Sequence, residues 1–191
     1  MIRTEEIRNV AIIGHSGEGK TTLTEAILFN AGAIDRQGKV DDGNTVSDFE
    51  QEEIARKTSI SLTASRCEYT DRKNRHVVFN LLDVPGFFDF EGERSEALAA
   101  ADNALIVTGA NGTLTVGTEK AIEYCLKNKI PSILFINGLD KDNANFVKTV
   151  HAIKEKYGNK IAPMIIPNMV DEKMKGFVKV AYGVLRDWER N

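Results

Sequence analysis

Apolar positions along this chain arrive in short runs separated by stretches of helical period. Residues 10–13, 77–82, 104–108 and 133–136 are too short for helices and too continuous for strands with one wet face, so they read as strands covered on both sides. Leu23, Ala26, Ile27 and Asn30 fall at helical spacing, residues 93–101 and 118–127 are good helix formers, and Phe146, Val147, Val150, Ile153 and Tyr157 repeat the helical pattern. Strand and helix in alternation predict an α/β fold, a mostly parallel sheet with helices on both faces. Residues 59–69 alternate more loosely and lead through the turn-like Asp71-Arg72-Lys73-Asn74 into the 77–82 run, which predicts an antiparallel edge hairpin. The apolar run at 161–166 predicts a sixth strand. Residues 33–58 break the alternation: they are polar and acidic, and a loop of that length is either functional or merely floppy.

The first apolar run ends in Gly14-His15-Ser16-Gly17-Glu18-Gly19-Lys20-Thr21, which fits G-x-x-x-x-G-K-[ST], and a helical segment opens directly after it. Strand, glycine turn and helix are what a polyphosphate needs. Glycines let successive N–H groups curl toward phosphate oxygens, the helix adds the positive end of its dipole, and Lys20 reaches the outer phosphates. The Thr21 hydroxyl is then placed to ligate Mg²⁺. The plain alternative is a glycine-rich turn carrying a surface lysine.

Two further motifs follow strands. Asp83-Val84-Pro85-Gly86 ends the 77–82 run, putting a carboxylate where it can hold a Mg²⁺ water and the Gly86 N–H where it can sense a terminal phosphate. Read alone, Asp-x-Pro-Gly also makes a routine turn. Asn137-Gly138-Leu139-Asp140 follows the 133–136 run, where an N-K-x-D sequence selects guanine: one carboxylate, Asp140, accepts both N1–H and the 2-amino group. Asn or Asp there also caps helices, and Gly138 stands where lysine would lay its stem along the base, which predicts weakened nucleotide affinity.

Composition narrows the setting. The 191 residues are 42% hydrophobic and 28% charged with a net charge of −3, an ordinary globular balance that creates no field for nucleic acid. Cys67 and Cys125 are isolated, which fits reduced thiols better than a disulfide or a zinc site. No signal-peptide core and no run of roughly 18 apolar residues occurs, so a cytoplasmic protein is expected.

With these residues in view, the chain resembles the nucleotide-binding domain of elongation factor G and its relatives among the translational GTPases, more closely the elongation-factor-G-like paralogues. The likeness is carried in order by Arg8-Asn9-Val10-Ala11-Ile12-Ile13-Gly14-His15, Glu50-Gln51-Glu52-Glu53 to Arg56, Ser59-Ile60-Ser61, Asp83 to Gly86 with Asp89-Phe90, and Asn137 to Asp140. It implies a P-loop GTPase fold, a first switch over residues 33–59, a second switch from Asp83, and GTP or GDP with Mg²⁺ as ligand. It implies nucleotide contacts at His15, Ser16, Gly17, Glu18, Gly19, Lys20, Thr21, Thr22, Asn137 and Asp140, metal contacts at Thr21, Ser59 and Asp83, and catalytic roles for Lys20 and Gly86. Ser59 stands where the family has a threonine, with Thr58 as the fallback ligand. The ribosome is the implied partner of the full protein, and a monomer is expected.

Three departures qualify that likeness. Phe87 replaces the histidine that orients water in the family, so slow hydrolysis is expected. Gly17-Glu18 replaces an Asp-Ala pair, and Glu18 is expected to face solvent. Residues from about 165 are expected to begin an inserted subdomain, which makes the chain one truncated nucleotide-binding domain. Other readings stay open: a degenerate nucleotide- or ribosome-binding regulatory module, favoured by Gly138 and Phe87, and an ATP-using P-loop enzyme, favoured by the damaged guanine motif.

Overall fold

The computed structural model describes residues 2–87, 91–170, 173–180 and 184–187. The chain runs β1 (Ile7–Gly14), α1 (Lys20–Asn30), α2 (Gln51–Arg56), β2 (Thr63–Thr70), β3 (His76–Asp83), α3 (Glu91–Ala100), β4 (Asn103–Gly109), α4 (Val116–Asn128), β5 (Ser132–Asn137), α5 (Phe146–Tyr157), β6 (Ile165–Val170), β7 (Lys173–Lys179) and β8 (Val184–Asp187). Five strands form one sheet in the order β2-β3-β1-β4-β5. β1 lies parallel to both β3 and β4, and β2 pairs antiparallel with β3 at one edge, as the alternation of runs predicts.

Why β1 sits at the centre is visible in its side chains. Ala11, Ile12 and Ile13 are consecutive, so they point alternately to opposite faces, yet none exposes more than 1% of its surface. On one face Ile12 joins Leu28 of α1, Cys67 of β2, Leu81 of β3 and Val107 of β4 in a cluster, with Leu23 and Ile27 packed against it. Helices α3 and α4 also pack on β1. Cys67 and Cys125 are both buried thiols, as their isolated positions suggest.

The edge hairpin is closed by Asp71, whose carboxylate accepts the amides of Lys73 at 2.8 Å and Arg75 at 2.9 Å, while Asn74 takes a left-handed φ of 57°. Strand β2 begins at Thr63, four residues later than the sequence suggests: residues 59–61 are taken up by side-chain contacts described below, and the Leu62 amide donates to the Glu93 carboxylate at 2.8 Å. Register pairs Thr63 with Asp83 and runs without a slip to Thr70 with His76.

Two compact units divide the chain, residues 1–108 with 115–135, and residues 109–114 with 136–191. In the second, Asn145 caps α5 by accepting the Lys148 amide at 2.9 Å, and Thr149 Oγ1 accepts the Gly112 amide at 2.9 Å, so α5 is anchored to the 109–114 segment. The same unit holds a separate three-stranded antiparallel sheet, β6-β7-β8.

That sheet corrects the expected sixth strand. Residues 161–164 form no strand; pairing starts at Ile165 and is antiparallel to β7. Pro163 donates no amide and restricts Ala162, which breaks the apolar run as a ladder, whereas Pro167 is tolerated because β6 is an edge strand. A second difference is α2, a six-residue helix inside the polar 33–58 stretch, with Glu50 and Glu53 forming a reciprocal capping box.

Candidate functional site

Strand β1 delivers the chain into a turn at Gly14, and α1 opens at Lys20 with Gly19 as its N-cap at φ 86° and ψ 31°, a left-handed conformation glycine adopts without a Cβ penalty. This turn lies beside the carboxyl end of β3, since register places Asp83 next to Ile12. Within it Ser16, Glu18 and Gly19 are half-buried, Gly17 is exposed, and Thr22, the third residue of the helix, faces solvent. Glu18 is therefore less exposed than expected, and its charge acts on Lys20.

Lys20 is 6% exposed, and its Nζ donates to the His15 carbonyl oxygen at 2.9 Å, folding the ammonium over its own loop. Burial pushes its pKa down; the charges of Asp83, Glu18 and Asp48 oppose that shift. The His15 ring lies against the start of α4: a Cβ on Gly117 would stand 2.7 Å from His15 Nδ1, so glycine is what leaves room for the imidazole.

Asp83 is 1% exposed, and burial raises its pKa from 3.8 to about 6, against the ordering effects of the Thr21 hydroxyl, the Lys20 charge and the Ser47 hydroxyl. The two hydroxyls stand near, but neither carboxyl oxygen reaches hydrogen-bond geometry with a protein group among the described residues. Asp48, 3% exposed, is in the same condition: both oxygens are buried without a partner, and burial raises its pKa, with Ser59 opposing and Glu53 adding to the shift. Ser47 Oγ is likewise buried without a hydrogen-bond partner among the described residues. Buried oxygens in this number call for a ligand that accepts them.

Thr21 Oγ1 and Ser59 Oγ meet at 3.1 Å beside these carboxyls. It is Ser59, not the neighbouring Thr58, that reaches Thr21. The donors are all oxygen, two carboxyls and three hydroxyls, a set that suits a hard divalent cation. Among the described residues no three His, Cys, Asp or Glu side chains cluster for a metal.

Gly86 lies directly on the loop. A Cβ there would stand 2.5 Å from the Ser16 amide nitrogen and 2.7 Å from the His15 carbonyl carbon, and would also strike Lys20 Nζ. Phe87 next to it is 46% exposed. Asp89 and Phe90, which carry part of the family likeness, lie outside the described residues.

The residues expected to read the base belong to the second unit. Asn137 closes β5 and is half-buried, while Asp140 is exposed. Gly138 adopts φ 75°, and the Lys141 stem packs beside it, its Cδ and Cε 3.4 Å from where a Cβ would stand. A lysine at 138 would meet a backbone disfavoured for it by about 1–2 kcal/mol. Sequence reasoning passed over Ser47 and Asp48, since neither lies at a fixed spacing from the glycine loop.

A doubly covered sheet whose first strand turns over glycines into a lysine-led helix, with a carboxyl at the end of the adjoining strand, defines a P-loop nucleotide-binding domain. Comparison with known proteins agrees: residues 5–184 match the family model described as the elongation factor Tu GTP binding domain. The chain belongs to that family. It is 37% identical over 153 residues to an elongation factor G-like protein of Mycobacterium tuberculosis, covering 80% of this chain and 21% of the relative. It is 35% identical over 153 residues to a mitochondrial ribosome-releasing factor 2 of Drosophila erecta, with the same coverage of each. A crystal structure from Thermus thermophilus superposes with a TM-score of 0.86 at 34% identity, covering 97% of this chain and 27% of that one. The chain thus spans about a fifth of the length of the curated relatives it matches. Among the described residues no helix is long and apolar enough to cross a membrane.

Proposed function

We propose that this chain binds GTP and GDP together with Mg²⁺, as the nucleotide-binding domain of an elongation-factor-G-like protein that works on the ribosome in the cytoplasm. The observation that carries the reading is the buried, unsatisfied group of Asp83, Asp48 and Ser47 beside the Thr21–Ser59 hydroxyl pair, with Lys20 held over the same loop. Names of relatives that refer to elongation factor G and to ribosome release support the ribosomal setting. The proposed unit is a monomer. The β6-β7-β8 sheet is proposed as the beginning of an inserted subdomain, with residues 1–191 forming one nucleotide-binding domain.

In this reading, amides from His15 to Thr22 wrap the phosphates, and Lys20 moves from its own loop's carbonyl to the outer phosphate oxygens. Thr21 and Ser59 would hold Mg²⁺ through their hydroxyls, and Asp83 would hold it through water. Bound there, the cation supplies charge neutralisation on the phosphates. Gly86, which already touches the loop, turns its N–H toward the terminal phosphate. Asn137 and Asp140 take the guanine edge. Phe87 neither accepts nor donates a conventional hydrogen bond, so water is left poorly aligned and turnover is slow unless another molecule supplies the missing group.

Titration of fluorescent GDP, GTP and ATP with Mg²⁺ into the chain tests this. Guanine nucleotides are expected to bind in preference to ATP, Lys20→Ala to weaken them about 100-fold, and Asp140→Asn to shift preference toward xanthine nucleotides. Equal binding of ATP and GTP, or guanine nucleotide binding indifferent to Lys20→Ala, refutes the proposal.

A further inference from the structure

Among the described residues, Glu25 and Glu53 are the two acidic side chains most completely withdrawn from water without belonging to the pocket, at 0% and 1% exposure. A carboxyl group so placed is costly unless its oxygens are taken up, so their partners are informative. Glu25 projects from α1 and accepts the Gly38 amide at 2.7 Å on one oxygen and the Val46 amide at 2.5 Å on the other. Glu53, in α2, accepts the amides of Ile60 at 2.9 Å and Ser61 at 3.1 Å on one oxygen and that of Glu50 at 3.2 Å on the other.

All five donors lie in the 38–61 segment, and they are not spread at random along it. Val46 directly precedes Ser47 and Asp48, and the Ile60 amide belongs to the same peptide plane as the Ser59 carbonyl. Each glutamate therefore grips the backbone next to a side chain that enters the pocket. A capping box alone does not explain Glu53, because such a glutamate normally takes one amide in water, whereas this one is buried and takes two more from beyond the far end of its helix. Glu25 is not a cap at all; it sits mid-helix and reaches a loop 13 and 21 residues away.

We infer that Glu25 and Glu53 are positioning residues that clamp the 38–61 segment from its two ends, Glu25 setting Ser47 and Asp48 and Glu53 setting Ser59. The order of the segment is then carried by protein–protein hydrogen bonds and is available to a ligand in advance, which lowers what binding must spend on fixing the loop. The inference rests on the reading above only for the identity of what the pocket takes. A glutamine at either site keeps the length but must aim its NH₂ at an N–H donor, so each substitution opens one end and leaves the other held.

Residue-resolved amide hydrogen exchange on the 191-residue chain, paired with GDP and GTP affinities in Mg²⁺, tests this. In the wild type the amides of Gly38, Val46, Ile60 and Ser61 are expected to exchange at least about 100-fold slower than in an unfolded chain. Glu53→Gln is expected to accelerate Ile60 and Ser61 at least about tenfold while sparing Gly38 and Val46, and Glu25→Gln to do the reverse. Glu53→Gln is further expected to lower GTP affinity about tenfold with GDP affinity changed less than about threefold, a split that general loss of stability does not produce. Unprotected amides in the wild type overturn the inference without any variant, should Glu53→Gln fail to fold. Acceleration of all four amides alike, or an unchanged GTP-to-GDP ratio, overturns it too. Failure of the wild type to bind either nucleotide refutes the proposed function instead, and the exchange pattern still decides whether the clamps exist.

Discussion

The hydroxyls of Thr21 and Ser59 stand 3.1 Å apart across 38 residues of sequence. Thr21 is fixed in the first turn of a buried helix, so the distance reports where the 33–62 stretch has been brought. Removing one hydroxyl tests the pair. Ser59→Ala is expected to raise the Mg²⁺ concentration needed for half-maximal GTP binding about tenfold, and Ser59→Thr to preserve it. Mg²⁺ titration of GTP binding at fixed protein gives the answer; an unchanged midpoint in Ser59→Ala removes Ser59 from the metal site.

Asp83 makes stability depend on pH with a definite sign. Burial lifts its pKa from 3.8 to about 6, so the folded chain keeps this proton over a range in which the unfolded chain has lost it. In the absence of divalent cations the folded state is therefore most favoured below about pH 4 on this group's account and loses up to about 3 kcal/mol as pH rises through 6. Asp48, shifted in the same direction by burial, adds to the trend. Thermal melts between pH 4 and 7 in EDTA should show the decline. Saturating Mg²⁺ favours the ionised carboxyls and should flatten it; a decline that Mg²⁺ leaves untouched means the cation binds elsewhere.

Gly86 is fixed by contact rather than by backbone twist. A methyl group there meets the backbone at Ser16 and His15, which cannot swing aside as a lysine tip can. Gly86→Ala is expected to push the second switch off the loop, costing GTP at least about tenfold while GDP binding is held nearly constant. Equal losses for both nucleotides point to damage of the loop itself.

Phe87 is exposed, so its replacement should be structurally mild. Phe87→His is expected to raise single-turnover GTP hydrolysis by about 100-fold, the scale of a well-placed group that orients and accepts from water. A rate within twofold of the wild type locates the deficit in other residues.

The glycine loop and Asp83 were legible in the sequence because phosphate chemistry dictates both residue type and spacing there, whereas Ser59 was picked out only through the family resemblance. Equally legible were β1, β3 and β4, whose apolar runs lie in the covered middle of the sheet. β5 is the exception: as an edge strand it leaves Ile133 59% and Phe135 39% exposed, and an apolar run alone does not say whether both faces will be covered. Ser47, Asp48, Glu25 and Glu53 were not legible, since each matters through partners brought near only by folding. Glu25 is the clearest case: one place from Ala26 in a helix, it reads as an ordinary polar position, and only its burial betrays its role. Helix α2 is too short to show a period. The 161–166 run was misplaced because hydrophobicity announces a strand without saying which sheet it joins, and Pro163 decided where pairing begins.

The hairpin register sets a mechanical boundary. Thr63 lies four residues after Ser59 and Asp83 three before Gly86, and the two are paired across the ladder, so the segments that carry Ser59 and Gly86 leave the sheet side by side. Side chains alternate along a strand, hence sliding β3 by a single residue would turn Asp83 out of the pocket and onto the opposite face. Eight consecutive pairings resist that slip, which ties the segments carrying Ser59 and Gly86 to one common origin.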